Sequence, residues 1–227
     1  MSIVGLTSLE QWDEYTKVET DPRPRVRSGY PELDALLHRA SFGPGTFVIL
    51  AGRMHTRKTA VMLNLIANML QDGVPVGLVG LDEAPHMYVA KLASVLTQTP
   101  HTDFHQLWGT PQMDVIRDTF VQTAQKLSLV RGHRPSLDSL SAWLELAEID
   151  LGERPRVVFI DYLALLARDR FDGKDQQRIP RLCEELQVWT NKHELVTIAL
   201  HQVGRQGDGS ARVHGHTPVT PEQLMYG

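Results

Sequence analysis

The chain has 227 residues, of which 42% are hydrophobic, so it can bury one sizeable core, and a single compact α/β domain is the simplest expectation. Its formal net charge of −4 differs from that of proteins that coat nucleic acid, so any such contact must be local. One cysteine excludes an intramolecular disulfide and a zinc site of several thiolates. Since no secretory signal or bilayer-spanning apolar run is found, we expect a cytoplasmic protein without membrane contact.

The first 25 residues predict a short helix followed by a basic linker. Residues 8–18 begin at Ser8 with a capping-box pattern and carry apolar residues at helical spacing, which indicates an amphipathic helix. Two prolines within residues 21–25 exclude a helix there and favour an extended chain. The apolar residues of the helix are Leu9, Trp12 and Tyr15.

The rest of the chain, residues 26–227, is predicted to form one domain around a mostly parallel sheet. Short apolar runs alternate with helical patterns, which is typical of an α/β fold with helices on both faces of the sheet. The clearest helix covers residues 175–193, where apolar residues form one stripe. The predicted strands are residues 46–51, 76–81, 127–130, 157–160 and 195–200.

Residues 52–59 have the frame of a phosphate-binding loop, G-x-x-x-x-G-K-[ST], between a predicted strand and a predicted helix. In such a loop, backbone N–H groups surround phosphate, the Lys58 ammonium neutralises charge, and the Thr59 hydroxyl ligates magnesium. Arg57 replaces the second glycine, which predicts a reshaped or weakly binding loop. Taken alone, the motif also fits an ordinary strand-to-helix turn. The candidate nucleotide-binding residues are Gly52, Arg53, Met54, His55, Thr56, Arg57, Lys58 and Thr59.

Polar side chains follow three of the predicted strands, and parallel strands deliver such residues to one edge of the sheet. Asp161 ends an apolar strand in the pattern called Walker B, so we expect it to hold magnesium together with Thr59. Gln202 can hydrogen-bond a γ-phosphate or a water molecule. Asp82 and Glu83 fit two interpretations: they orient an attacking water, or they place negative charge at the N-terminus of the next helix.

Five segments, in the same order as the corresponding family motifs, resemble the DnaB-type replicative helicases. Residues 160–165, for example, read Ile-Asp-Tyr-Leu-Ala-Leu, close to the family's Ile-Asp-Tyr-Leu-Gln-Leu. The resemblance extends from about residue 26 to the end of the chain and implies a RecA-like P-loop NTPase fold. The five segments are residues 28–37, 81–83, 160–165, 175–178 and 199–205.

By this resemblance the chain is an ATP-dependent DNA helicase or translocase core that uses ATP and Mg²⁺ in DNA replication. Lys58 and Thr59 would bind the triphosphate and the metal, and Asp161 would bind the metal. Asp82 would take the place of the catalytic glutamate, with Glu83 beside it, and Gln202 would couple the nucleotide state to DNA loops. Expected partners are single-stranded DNA, further copies of the chain in a six-membered ring, and a primase or helicase loader.

Basic residues after the Walker B strand are candidates for a DNA-facing loop, because six stacked copies would line a channel with positive charge. The alternative is a solvated charged loop, since aspartates are interspersed. The candidate DNA-binding residues are Arg168, Arg170, Lys174 and Arg178, with Arg205 and Arg212 in a second loop.

The sequence also departs from the family pattern. Besides Arg57, residues 54–55 are Met-His instead of Pro-Gly, and Asp82 is one methylene shorter than glutamate. The sequence therefore supports ATP hydrolysis less strongly than ATP binding. The family's N-terminal primase-interacting domain has no counterpart. Residues 217–227 resemble the segment just before the strands that carry the family's arginine finger, so we expect those strands to be missing. Either the chain is a fragment, or its ATPase activity depends on a partner's arginine, or it hydrolyses ATP slowly.

Two other functions stay open from the sequence. One is a recombinase-like ATPase that forms filaments on single-stranded DNA, and the other is a non-hydrolysing, nucleotide-binding replisome adaptor with a degenerate loop.

The N-terminal helix would dock on an adjacent subunit or pack on its own domain. Phages often encode trimmed motors of this kind, which would place the protein in the cytoplasm of a bacterial host.

Overall fold

A computed structural model describes residues 7–20, 24–130, 135–167 and 175–203 of the chain. Within these ranges the centre of the fold is a five-stranded sheet with the order β1-β5-β4-β2-β3, and every pair of neighbouring strands is parallel. Each predicted strand is present, with ends shifted by at most two residues. The strands are β1 Phe47–Gly52, β2 Val76–Gly80, β3 Leu127–Leu129, β4 Val157–Asp161 and β5 Val196–Gln202.

Helices connect the strands and cover both faces of the sheet. None of the helices in the part of the chain that the structure describes is long and apolar enough to cross a membrane. They are α1 Ser8–Glu19, α2 Pro31–Asp34, α3 Lys58–Gln71, α4 Pro85–Thr97, α5 Phe104–Leu107, α6 Pro111–Thr123, α7 Leu137–Leu151, α8 Leu163–Ala167 and α9 Asp175–His193.

The core consists of two apolar layers, one on each side of the sheet. Side chains alternate along a strand, so Val157 and Phe159 of β4 pack into the layer with α3 and α4. Val158 and Ile160 pack into the other layer, with α7, α8 and α9. These four residues are fully buried, because both faces of a central parallel strand are covered.

The N-terminal cap of α1 differs by one residue from the sequence prediction. Thr7, not Ser8, is the capping residue: its Oγ1 accepts a hydrogen bond from the Glu10 backbone N–H at 3.4 Å. The Glu10 carboxylate in turn accepts from the Thr7 N–H at 2.7 Å. The box is therefore Thr7-x-x-Glu10, in which glutamate supplies a stronger acceptor than the Gln11 of the predicted box.

The apolar stripe of α1 is exposed. Leu9, Trp12 and Tyr15 are 69%, 64% and 54% exposed, so the residues that the structure describes leave most of the stripe uncovered. The far end of α1 is attached, since His38 Nε2 lies 2.9 Å from the Glu19 carboxylate. The linker after it also ends in a fixed contact: Arg25 Nε donates to Ser41 Oγ at 2.8 Å.

Two glycines of β2 allow helices to approach the sheet closely. A Cβ at Gly80 would lie 2.3 Å from the Tyr88 ring of α4, and a Cβ at Gly77 would lie 2.4 Å from the Trp143 ring of α7. Any other residue would therefore displace a large aromatic ring from each face. Gly80 thereby places Tyr88 at the edge of the sheet, next to the candidate site.

Candidate functional site

The polar residues predicted from separate strands lie together at the carboxyl edge of the sheet. The strand register pairs Gly52 with Gln202 and Gly80 with Asp161, so the ends of four strands are adjacent. An open cleft of about 600 Å³ occupies this edge. Its lining includes Lys58, Thr59, Asp82, Glu83, Asp161 and Gln202.

The loop from residue 52 to 59 retains left-handed backbone angles where the pattern has its second glycine. Arg57 has φ 61° and ψ 33° and directly precedes α3. These angles are disfavoured for a residue with a Cβ, by roughly 1–2 kcal/mol. The sequence predicts a reshaped or weakly binding loop because of Arg57. In the structure this residue keeps the left-handed conformation at the cost of strain, and weak binding stays a prediction. The Arg57 side chain is exposed and lines the cleft.

The Lys58 ammonium lies within the loop. Its Nζ donates hydrogen bonds to the backbone carbonyls of Gly52 at 2.9 Å and Arg53 at 2.8 Å. Partial burial lowers the pKa of Lys58, while the negative charges of Asp161 and Asp82 act in the opposite direction. These hydrogen bonds hold the ammonium against the loop, and Lys58 lines the cleft, where it can neutralise an anion.

Thr59 and Asp161 meet directly. Thr59 Oγ1 donates to Asp161 Oδ2 at 3.0 Å, across 102 positions of sequence. Burial raises the pKa of Asp161 to about 6; hydrogen bonds from Thr59 and Tyr88 lower it, and the charges of Asp82 and Glu83 raise it. A hydroxyl and a carboxylate in contact at the base of a phosphate loop are oxygen ligands of the kind that Mg²⁺ prefers.

Tyr88 belongs to the site, although sequence reasoning did not find it. Its hydroxyl donates to the same Asp161 oxygen at 3.1 Å, and its ring is 1% exposed. Burial and the nearby Asp161 charge raise the pKa of Tyr88, so it remains a neutral donor. One signal in the sequence was Gly80, a small residue at the end of an apolar strand, but it does not reveal which ring fills the space.

The two carboxylates after β2 differ in their surroundings. Asp82 is exposed in the cleft, whereas Glu83 accepts hydrogen bonds on both oxygens from Lys91 of α4, one of them at 2.6 Å. The capping residue of α4 is Ala84, and no side chain caps this helix. Neither carboxylate makes a capping hydrogen bond, and both line the cleft. Both also lie within three residues of the start of α4, so the two interpretations from the sequence stay open.

The predicted DNA-binding residues are mostly outside the described part of the chain. Arg178 lies in α9 and is half-buried. Arg168, Arg170, Lys174, Arg205 and Arg212 fall outside the described residues, as does the predicted loop after Val203.

The chemistry of the cleft fits a nucleotide bound with magnesium. No cluster of three or more His, Cys, Asp or Glu side chains suited to a metal occurs in the described ranges. Mg²⁺ does not need one, because it usually takes one or two protein groups together with water and substrate phosphates. Thr59 and Asp161 could supply the protein groups, and Lys58 and the N-terminus of α3 could supply the phosphate contacts.

Comparisons with known proteins agree with this geometry. Over 182 residues the chain is 24% identical to the replicative DNA helicase DnaB of Helicobacter pylori, covering 79% of this chain and 37% of that protein. Over 199 residues it is 22% identical to a probable plasmid replicative DNA helicase of Chlamydia psittaci, covering 86% and 43%. The chain therefore spans less than half the length of these curated relatives.

Solved structures show the same fold. A DnaB-like replicative helicase, studied for its interactions with primase, matches with a TM-score of 0.78 and 19% identity over 100% of this chain and 54% of its own. A second solved structure, an isolated ATPase domain, matches with a TM-score of 0.71 and 20% identity, over 89% and 73%. A KaiC-like protein of Pyrococcus horikoshii matches with a TM-score of 0.54 and 20% identity, over 80% and 71%.

These likenesses and the parallel sheet confirm the predicted α/β, RecA-like fold. The family description "DnaB-like helicase C terminal domain" matches residues 25–219, which is most of the chain. The resemblance seen in the ordered motifs is thereby confirmed, and the chain belongs to the DnaB-like helicase C-terminal domain family.

Proposed function

We propose that this domain is the ATP-driven motor core of a replicative DNA helicase and hydrolyses ATP with Mg²⁺ in the cleft at the carboxyl edge of the sheet. The observation that carries the proposal is the contact between Thr59 and Asp161 beside the Lys58 ammonium. The adjacent Lys58 and Thr59 and the distant Asp161 converge where a triphosphate and its metal would bind. Membership of a helicase domain family supports the same activity.

Each residue has a distinct role in this reaction. Lys58 and the N–H groups at the start of α3 bind phosphate oxygens, and Thr59 and Asp161 hold the metal. When bound, Mg²⁺ supplies charge neutralisation to the phosphates. Asp82 and Glu83 orient the attacking water, and Gln202, at the end of β5, responds to the terminal phosphate.

The DNA contacts and the assembly are part of the proposal. Arg178 and the basic residues assigned from sequence would face single-stranded DNA in a ring, where six copies multiply a modest local charge. Residues 1–25 would form a connecting arm and residues 26–227 the motor domain. The exposed stripe of α1 supports docking of this arm on the adjacent subunit, because Trp12 is 64% exposed. A primase or a helicase loader would be a further partner.

A phosphate-release assay with and without single-stranded DNA tests this function. We expect DNA-stimulated phosphate release from the wild type, and its loss in Lys58→Ala. Lys126→Ala is the matched control, since Lys126 Nζ also donates to a backbone carbonyl, that of Gly73 at 3.0 Å, but does not line the cleft. Equal background release in the wild type and Lys58→Ala would rule out the motor.

A second candidate is a nucleotide-binding replisome module that does not turn ATP over. Glu83 has the length of the family's glutamate, but Lys91 donates to both of its oxygens. Asp82 is one methylene shorter than the glutamate it replaces, so neither carboxylate fully matches the family's catalytic group. Saturable ATP binding without phosphate release, with DNA present, would favour this function over the motor.

Ring and filament assemblies are separated by size. We expect light scattering with Mg²⁺ and a non-hydrolysable nucleotide to give a closed assembly of about six copies. An open series of sizes that lengthens with single-stranded DNA would instead favour the recombinase-like alternative, and a monomer under all conditions would contradict both assemblies.

A further inference from the structure

The nucleotide cleft contains a second ammonium group, which no sequence motif assigns. Lys91 projects from α4 into the cleft that Lys58 enters from the phosphate loop. Lys91 Nζ donates to both oxygens of Glu83, and the two side chains are 26% and 31% exposed. We refer to these two side chains as the Lys91–Glu83 pair.

The Lys91–Glu83 pair engages both oxygens of a carboxylate that lines the cleft. A general base must have an oxygen within hydrogen-bond reach of the attacking water, and here the ammonium occupies both oxygens. The pair is only partly exposed, so water screens it incompletely. Glu83 therefore needs a stronger competitor for Lys91 before it can act.

A triphosphate is such a competitor. Its terminal phosphate is more highly charged than one carboxylate, and lysine binds phosphate as a compact point charge on a flexible stem. Besides Glu83 the cleft carries two further carboxylates, Asp82 and Asp161, and the charges of Asp82 and Glu83 both act on Asp161. An ammonium that moves from Glu83 to the phosphate thus stays close to negatively charged groups throughout.

We propose that Lys91 is a triphosphate-responsive catalytic residue: it holds Glu83 in the nucleotide-free cleft, moves to the terminal phosphate of bound ATP, and so frees Glu83 to act as the base. This inference rests on the proposed ATPase function. In the reaction, the water oxygen forms a bond to the γ-phosphorus, and the bond from that phosphorus to the β,γ-bridging oxygen breaks with its electron pair left on ADP. The proton of the water goes to Glu83.

The proposal predicts opposite effects from the two halves of the pair. Lys91→Ala removes a contact that only a triphosphate makes, so the preference for a non-hydrolysable ATP analogue over ADP should fall about tenfold. Glu83→Gln weakens the hold on Lys91 in the free protein, so the same preference should rise several-fold, while phosphate release is lost. An ion pair that merely stabilises α4 would change both variants in the same direction.

Titrations of a fluorescent ATP analogue and of ADP against the full chain measure these preferences. Asp82→Asn is the charge-matched control, because it removes one cleft carboxylate without touching the Lys91–Glu83 pair; it should raise the preference for the ATP analogue less than Glu83→Gln does. Lys126→Ala should change neither affinity. A Lys91→Ala protein with wild-type preference, or a Glu83→Gln protein with a lowered preference, would overturn the role of Lys91.

The same titrations separate this inference from the proposed function. If the wild type binds neither nucleotide saturably, both the motor and the role of Lys91 fail. If the wild type binds both nucleotides, Lys58→Ala binds neither, and Lys91→Ala keeps the wild-type preference, the nucleotide site stands and only the role of Lys91 fails.

Discussion

Arg57 gives the most specific test of the phosphate loop, because one side chain there has two separable effects. Its Cβ is held at a φ of 61°, which disfavours the folded state by roughly 1–2 kcal/mol relative to glycine. Its guanidinium lines the cleft and adds positive charge where phosphate would bind. The first effect concerns stability, and the second concerns nucleotide affinity.

Two substitutions separate these effects. Arg57→Ala removes the guanidinium but keeps a Cβ in the left-handed conformation, whereas Arg57→Gly removes both. Glycine also gains freedom in the unfolded chain, which offsets roughly 0.5–1 kcal/mol of the relief. We therefore expect Arg57→Gly to exceed Arg57→Ala in free energy of unfolding by about 0.5–1 kcal/mol, and in melting temperature by roughly 1–4 °C for a domain of this size.

Urea unfolding and nucleotide titration on the same three proteins provide the assay. Both variants should bind the ATP analogue several-fold more weakly than the wild type, because both lack the guanidinium. Arg57→Gly should have a higher free energy of unfolding than Arg57→Ala. If Arg57→Gly and Arg57→Ala have equal stability, the strain argument is wrong; if Arg57→Gly binds nucleotide more tightly than the wild type, the side chain obstructs the loop instead of assisting it.

Three further predictions concern the residues around the site. Asp161→Asn should raise the free energy of unfolding near pH 7.5 by up to about 3 kcal/mol, because folding raises the pKa of this carboxyl from 3.8 to about 6 and its buried charge is unfavourable above that pH. As the pH falls from about 6 towards 4, the wild-type carboxyl becomes protonated, so the stability difference between Asp161→Asn and the wild type should shrink. Urea unfolding without Mg²⁺ near pH 7.5 and near pH 4 measures this difference. A difference independent of pH would contradict the prediction. Gly80→Ala should destabilise by roughly 1–3 kcal/mol through the clash with Tyr88, as measured in urea. Adding Tyr88→Leu should recover part of that loss, and strictly additive losses would exclude the clash. Trp12→Ser should leave the monomer's melting temperature nearly unchanged because Trp12 is exposed, yet reduce the mass of the assembly in light scattering; unchanged mass would exclude docking of α1.

Much of the site was predictable because its position follows from topology. Parallel strands end at one edge, so an aspartate after one apolar run and a Lys-Thr pair after another must approach each other. Thr59 and Asp161 are 3.0 Å apart for this reason. The strands themselves were found because the central ones are covered on both faces and read as continuous apolar runs.

The residues that sequence reasoning missed depend on how α4 packs against the sheet. Tyr88 and Lys91 lie three positions apart on this helix, and helical spacing alone places them on one face without saying what that face meets. Their partners, Asp161 and Glu83, follow from the close packing of the Tyr88 ring on Gly80, which the sequence alone does not give. The cap of α1 was misplaced for a local reason, since Thr7 and Ser8 both suit the position.

The most direct test of the central claim is an equilibrium titration of the full chain with a Mg²⁺-bound, non-hydrolysable ATP analogue. A cradle built from Lys58, Thr59 and Asp161 predicts saturable binding by the wild type, which weakens by at least about tenfold in Lys58→Ala and depends on Mg²⁺ only while Asp161 is present. Binding that is absent in the wild type, or is equally strong in Lys58→Ala, would show that the cleft does not hold the triphosphate.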